Sequence, residues 1–371
     1  MRHLSDALLA LAIAAAPVAA QQYTPPGQGP NQGPLEVVAP SAQYPTLQAA
    51  VDAVAHGGFV RIPAGTWTER VVVSGKIVHL IGLGAKANQV RLEADGAGPI
   101  VYFVAGGGGS VQRLTLAGGT DGIAGHAAGE VSVDDVRIDH SGAHGIAGSF
   151  DALAVVDSSL RHSGLSGIAV TPVGDLALAN VDIRHSGGAG AVVFNQAAGE
   201  GALRAVSDLR LTHNGHGGLE VRGGAVPVVI TGVTAIHNAG FGIRLIGAHG
   251  TRIDASSASW TRPATVAGAL VWGDGLGVFR SENVTLAGST FSFNHRAGAS
   301  FWGCADGRPT SFEISGSQLD KNAFALELGP LTGCTAGRSV TPGDGGDNIC
   351  DGGGCKAQTS GLAPVELPAA D

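Results

Sequence analysis

Apolar residues recur at every second position in short runs through the middle of this chain, and each run breaks at a corner. Before His140 the apolar positions are Val131, Val133, Val136 and Ile138; before His185 they are Leu176, Leu178, Val181 and Ile183. A step of two is strand period, and the three-residue step between pairs marks a bend. After the next turn, Gly190-Ala-Val-Val193 and Gly242-Ile-Arg-Leu245 open a third alternating run. Each unit therefore predicts three short strands, two tight corners and one variable loop. The glycine after the turn points to special backbone angles or a close approach.

The unit repeats. His140, His162, His185, His213 and His237 are spaced 22, 23, 28 and 24 residues apart. Each is followed by Ser or Asn, then by a short turn ending in Gly and an apolar residue. Self-similarity of this period predicts a solenoid. The corner column Ser141, Ser163, Ser186, Asn214, Asn238 continues through Asn294 and Asn322. Such side chains can bond backbone groups of their own and the neighbouring coil. At the start, Thr46 is a good cap for a helix whose Leu47, Ala50, Val51 and Val54 share one face. A helix there would close the open end of the stack. The fold class predicted is all-β: a single-stranded right-handed parallel β-helix with a short N-terminal capping helix.

The stretch Tyr44–Val54, the Ile62-Pro-Ala-Gly-Thr-Trp-Thr-Glu69 segment, Leu80-Ile-Gly82 and the five His-Ser/Asn units carry a family resemblance. Together they resemble the pectin-lyase-like superfamily and its generic β-helix repeats, over roughly residues 40–330. That superfamily includes pectate and alginate lyases, polygalacturonases, pectin methylesterases, epimerases and phage tailspikes, so the resemblance implies a fold and leaves the activity open. Asn180-Val-Asp182, Gly215-His-Gly217 and Arg244 echo polygalacturonase motifs, but the paired Asp expected one coil later is missing. The pectate-lyase Trp-x-Asp-His and methylesterase Asp-Phe-x-Phe-Gly elements are absent as well.

Composition adds a compartment. Arg2, an uncharged run from Ala7 to Ala16 and Val18-Ala-Ala20 read as a secretory leader over 1–20, cleaved near Ala20. The expected location is secreted, periplasmic or cell-surface, with no membrane span. Residues 21–36 read as a flexible linker, 37–335 as the β-helix domain and 336–371 as a disulfide-closed Gly-rich cap and tail. Cys304, Cys334, Cys350 and Cys355 cluster near the C-terminus; in an exported chain they suggest two disulfides, with Cys304–Cys334 and Cys350–Cys355 preferred. Their spacing fits no standard zinc pattern. A net charge of −8 without any Lys/Arg-rich run argues against nucleic acid. The expected state is a monomer.

Four places could carry chemistry. The histidine column is expected to face the corner interior as neutral, backbone-bonded rings; a metal array would also need carboxylates aimed at the same point. A second column, Asp135, Asp157, Asn180 and Asp208, reads as turn caps, with Ca²⁺ as the competing possibility. The Gly343–Cys355 loop, with Asp344, Asp347 and Asp351, reads as a disulfide-closed end cap, again with Ca²⁺ as the competing possibility. No other metal or cofactor is expected. The irregular stretch 247–308 is the candidate sugar site. There Trp260, Trp272 and Trp302 with Arg262 would bind substrate. Asp274 and Glu282 would form an acid/base pair, and Arg280 would hold a substrate carboxylate. Two functions compete: an exported β-helix that binds glycans or has a cell-surface structural role, and a polysaccharide lyase or glycoside hydrolase with its site in 247–308. The partner in either case is a polysaccharide or surface glycan.

Overall fold

The computed structural model describes residues 33–195, 202–266, 269–305, 308–309, 311–328, 341–344, 348–350 and 357–358. Within them the chain winds as a right-handed β-solenoid with three parallel ladders and almost no helix. One coil shows the rule. Leu176–Ala179 lies on the first face, Asp182–Arg184 on the second and Ala189–Phe194 on the third. Each pairs in parallel with its counterpart one coil on: Arg204–Ser207, Arg210–Thr212 and Gly217–Arg222. At Ile123–Asp134 and Ile146–Val156 the third-face strand runs without a break into the first face of the next coil.

The two-step alternation puts Val133, Leu178, Val206 and Ile230 inside on the first face, and Ile138, Leu160, Ile183 and Leu211 on the second. These join a single core running the length of the solenoid. The N-terminal helix is Leu47–Ala53; the Ala49 amide donates to Thr46 Oγ1 at 3.1 Å and Leu47, Ala50 and Val51 are buried. Glu69 Oε2 accepts the Leu47 amide at 2.7 Å, tying the helix to the coils beneath it. At the other end the ladders pass residue 335. Thr341–Asp344, Ile349–Cys350 and Ala357–Gln358 pair in parallel with Ser311–Ser315, Gln318–Leu319 and Phe324–Leu328. The segment read as a cap thus contributes a further coil.

Both corners use left-handed backbone. At the first corner Asp135, Asp157, Asn180 and Asp208 have φ near +50°, as turn caps should. At the second corner His140, His162, His185, His213 and His237 do, with φ of 55° to 58°. This overturns one expectation. The rings do not face the interior: the side chains of His140 and His162 are 70% and 46% exposed, and all five residues are exposed. Parity counting from Ile138 and Ile183 fails because alternation holds only through extended backbone, and a left-handed residue reverses the direction of its side chain. The next residue, Ser or Asn, takes the inward place. The Asn214 amide and Nδ2 both donate to Asn238 Oδ1 at 3.0 Å, and Asn238 Nδ2 donates to the Leu211 carbonyl at 2.8 Å.

The stretch 247–308 departs from the regular coil in two hairpins. Ala264–Val266 pairs antiparallel with Ala269–Val271, and Cys304–Ala305 with Arg308–Pro309. Among the described residues no helix is long and apolar enough to cross a membrane. The stretches read as leader and linker, up to residue 32, and Asp347 and Asp351 lie outside the described residues. Cys350 is disulfide-bonded; the side chains of Cys304, Cys334 and Cys355, and with them the pairing, lie outside as well.

Candidate functional site

The third face should offer its outward positions to water, yet it does not. Strand register aligns Val192, Glu220, Arg244, Gly277, Ser300 and Glu327 in one outward column. Every member is buried, Ser300 and Glu327 completely. The next outward column runs Phe194, Arg222, Ile246, Phe279 and Trp302. Near its N-terminal end the covered face is apolar: Ala189, Val192 and Phe241 pack with Phe194 and with Val271 of the first hairpin.

Further along it is charged. Asp274 opens the strand Asp274–Phe279, and Arg296 lies in the turn before Ala297–Trp302. Arg296 Nε donates to Asp274 Oδ1 at 2.7 Å and its Nη2 to Asp274 Oδ2, a bidentate pair. Its Nη1 lies 2.8 Å from Glu327 Oε2. Ser300 Oγ donates to Asp274 Oδ2 at 2.8 Å. The guanidinium sits 6.0 Å from the Trp272 ring and 5.3 Å from Trp302. One cation therefore bridges carboxylates from strands two steps apart, about 9.5 Å along the ladder. Two coils back, Arg222 pairs with Glu220, and Arg244 lies 4.9 Å from the Phe279 ring. Burying charge is costly unless it is paired and hydrogen-bonded. Between Arg244 and Ser300 the column has no side chain, at Gly277, where a Cβ would come 3.0 Å from the Phe279 ring.

The sequence-predicted site residues divide. Asp274, Trp272 and Trp302 come together around Arg296. Glu282 does not join them. It lies beyond the far end of the six-residue strand Asp274–Phe279, whose rise is roughly 16 Å. The two carboxylates are thus too far apart to act as one acid/base pair. Arg280 and Glu282 do not share a strand face either, because the strand ends at Phe279 and Arg280 is left-handed with φ 49°. Trp260 and Arg262 are on the exposed second corner, not the third face. Glu327 escaped the sequence reading. Its signal was alignment of Gly217-Gly-Leu-Glu220, Gly242-Ile-Arg244 and Phe324-Ala-Leu-Glu327, which exposes the polar column directly.

The second corner forms a ladder of its own. The rings of His140, His162, His185, His213 and His237 follow one another at 4.6, 5.4, 5.2 and 5.1 Å. Trp260 continues the row 6.1 Å on and Phe293 4.8 Å beyond it, with Lys321 Nζ 4.6 Å from the Phe293 ring. Between the two ends of the row each ring's faces meet its neighbours, so there only ring edges reach water. Trp260 is 52% exposed but offers no open face for a sugar to stack on. Burial, then the charges of His237, His185, Arg262 and Arg184, hold the His213 imidazole below its ordinary pKa. Burial raises Asp139, but its hydrogen bonds and charge pairing with Arg137, with help from His162 and His140, outweigh that and leave it below the usual carboxylate range.

The family described as right handed beta helix region matches residues 166–345. Over that stretch the chain is similar to the family, in agreement with the right-handed parallel β-helix described above. No curated protein sequence matches it. The β-helix resembles the A-module of the Azotobacter vinelandii mannuronan C-5 epimerase AlgE4 with a TM-score of 0.58 at 16% identity, covering 89% of this chain and 98% of that one. It resembles the AlgE6 A-module from the same organism with a TM-score of 0.50 at 18% identity, over 85% and 95% of the two chains. The catalytic domain of a GH87 α-1,3-glucanase in complex with nigerose gives 0.51 at 10% identity, over 92% and 70%. At these identities the likeness speaks for the fold.

Proposed function

We propose that this β-helix is an exported glycan-binding protein that holds a polysaccharide along its third face. The carrying observation is the buried Asp274–Arg296–Glu327 bridge beside buried Trp302 and half-buried Trp272, charged and aromatic groups held at outward strand positions with Trp272 as the member that reaches solvent. A structural role alone would be served as well by apolar residues. The similar structures, an epimerase of mannuronan and an α-1,3-glucanase, agree with a carbohydrate ligand. Export rests on the leader-like first 20 residues and on the clustered cysteines.

A polysaccharide-active enzyme is the second reading, and one observation favours it. Asp274 and Glu327 approach one guanidinium from strands two apart, and inverting glycosidases place their carboxyls roughly 6.5–9.5 Å apart. The test is a panel of neutral and acidic polysaccharides, assayed for retention, for new reducing ends and for unsaturated product. Trp272→Ala, at a half-buried position, should weaken retention of the best ligand about tenfold without loss of fold. A folded protein that retains no polysaccharide and releases no product would end both readings.

A further inference from the structure

We propose that Asp139, His140 and His162 form a binding site for a divalent transition metal, of the zinc, cobalt or nickel type, on the second corner of the solenoid. The outward rotation of the histidines supplies ring nitrogens at the surface. Asp139 supplies the carboxylate aimed at the same point that a row of imidazoles by itself lacks. His140 Nδ1 and His162 Nδ1 each lie 3.5 Å from Asp139 Oδ1, and the three donor atoms fall within 4.8 Å of one another. Ligands about 2.0–2.2 Å from a tetrahedral zinc ion stand about 3.4 Å apart from each other. The donor spacing is therefore already close to that of a metal site. Two imidazoles and a carboxylate suit borderline divalent ions and leave a fourth position open to water.

The surroundings are those of a held ligand set. Asp139 is 7% exposed, and its other oxygen, Oδ2, accepts from Arg137 Nη2 at 2.8 Å and Nε at 3.1 Å. That pairing leaves Oδ1 for the imidazole side and fixes the carboxylate plane, as outer-shell partners of metal ligands do. The left-handed φ of His140 and His162 sets both Cα–Cβ directions. The rings are stacked at an interplanar angle of 23°, so their lone pairs must turn to converge. This is a rotation about the broad terminal torsion of an exposed side chain. His185, His213 and His237 continue the row, but the triad is where a carboxylate meets it. Because Asp139 and His140 belong to one coil and His162 to the next, a bound ion would clip the two coils together.

The test uses the full chain, freed of metal, titrated with Zn²⁺ by calorimetry and with Co²⁺ by visible absorption. Wild type and His237→Asn should each bind one Zn²⁺ with the same affinity. His162→Asn and Asp139→Asn should bind at least tenfold more weakly. Asn accepts left-handed backbone, so the histidine variants keep their corner. Co²⁺ should give the visible bands of a tetrahedral site in wild type and His237→Asn but not in the other two variants, and Zn²⁺ should raise the wild-type Tm. No saturable Zn²⁺ binding, unchanged affinity in His162→Asn, or an equal loss in His237→Asn would each overturn the assignment; the last would mean a diffuse histidine row.

Discussion

At the level of single residues, the second corner shows how one dihedral decides where chemistry can occur. Five histidines and Trp260 share a positive φ, and that choice sends six rings outward while Ser, Asn or, after Trp260, Thr261 fills the corner. His185→Asn should therefore be nearly neutral, whereas His185→Val, a β-branched residue forced into left-handed backbone, should lose about 1–3 kcal/mol by denaturant titration. Equal stability of the two would show that the corner tolerates any backbone. The inward positions obey a different rule. Ile183 is wholly buried, so Ile183→Asp should cost several kcal/mol, and a melting temperature within a degree or two of the parent would mean a different register. The inward apolar positions and the Asn column were legible because strand alternation is visible as spacing. The direction of the histidines was not, because sequence spacing does not reveal the sign of φ at a corner.

At the level of elements, the ladders turn scattered residues into columns. The strands of the third face carry Glu220, Arg244, Gly277, Ser300 and Glu327 into one row although successive members are separated by 23 to 33 residues. Arg296 then joins three successive coils by bonding Asp274 and approaching Glu327. Arg296→Leu leaves two buried carboxylates without their cation, and a loss of about 3–5 kcal/mol is expected. A loss below about 1 kcal/mol in chemical unfolding would show that the carboxylates find other partners. The capping helix was legible almost residue for residue, since its cap and apolar face are local signals. Pairing Asp274 with Glu282 failed for the opposite reason. Eight residues apart reads as near in sequence, but a strand is extended, and closeness in a solenoid comes from equal places in successive coils.

At the level of the whole molecule, acid should loosen the coil. Burial, chiefly, lowers the imidazoles of His79 and His144, and His213 is lowered by burial and by neighbouring positive charge. A group whose pKa is depressed by folding adds stability above its unfolded value, and that stability is lost as pH falls through the range between the two values. Asp139, also depressed, follows the same sign in the carboxylate range below. Asp134, raised by burial and by Asp157 and Asp135, opposes it there. Tm should therefore fall from about pH 7 to pH 5, within the imidazole range, and a flat profile would contradict the proposed origin of these shifts. If the chain is exported as proposed, thiol titration of denatured, unreduced protein should find no free cysteine, and four reactive thiols would remove that support. The ring row on the second corner also gives the molecule a direction. Its N-terminal members are titratable imidazoles, followed by an indole and a phenyl ring that never charge. Acidification therefore loads positive charge onto the imidazole end of this row and leaves its indole and phenyl rings uncharged. Below the imidazole range the row should carry protonated rings at one end and rings that take no proton at the other, an asymmetry along the axis that the proton concentration switches on.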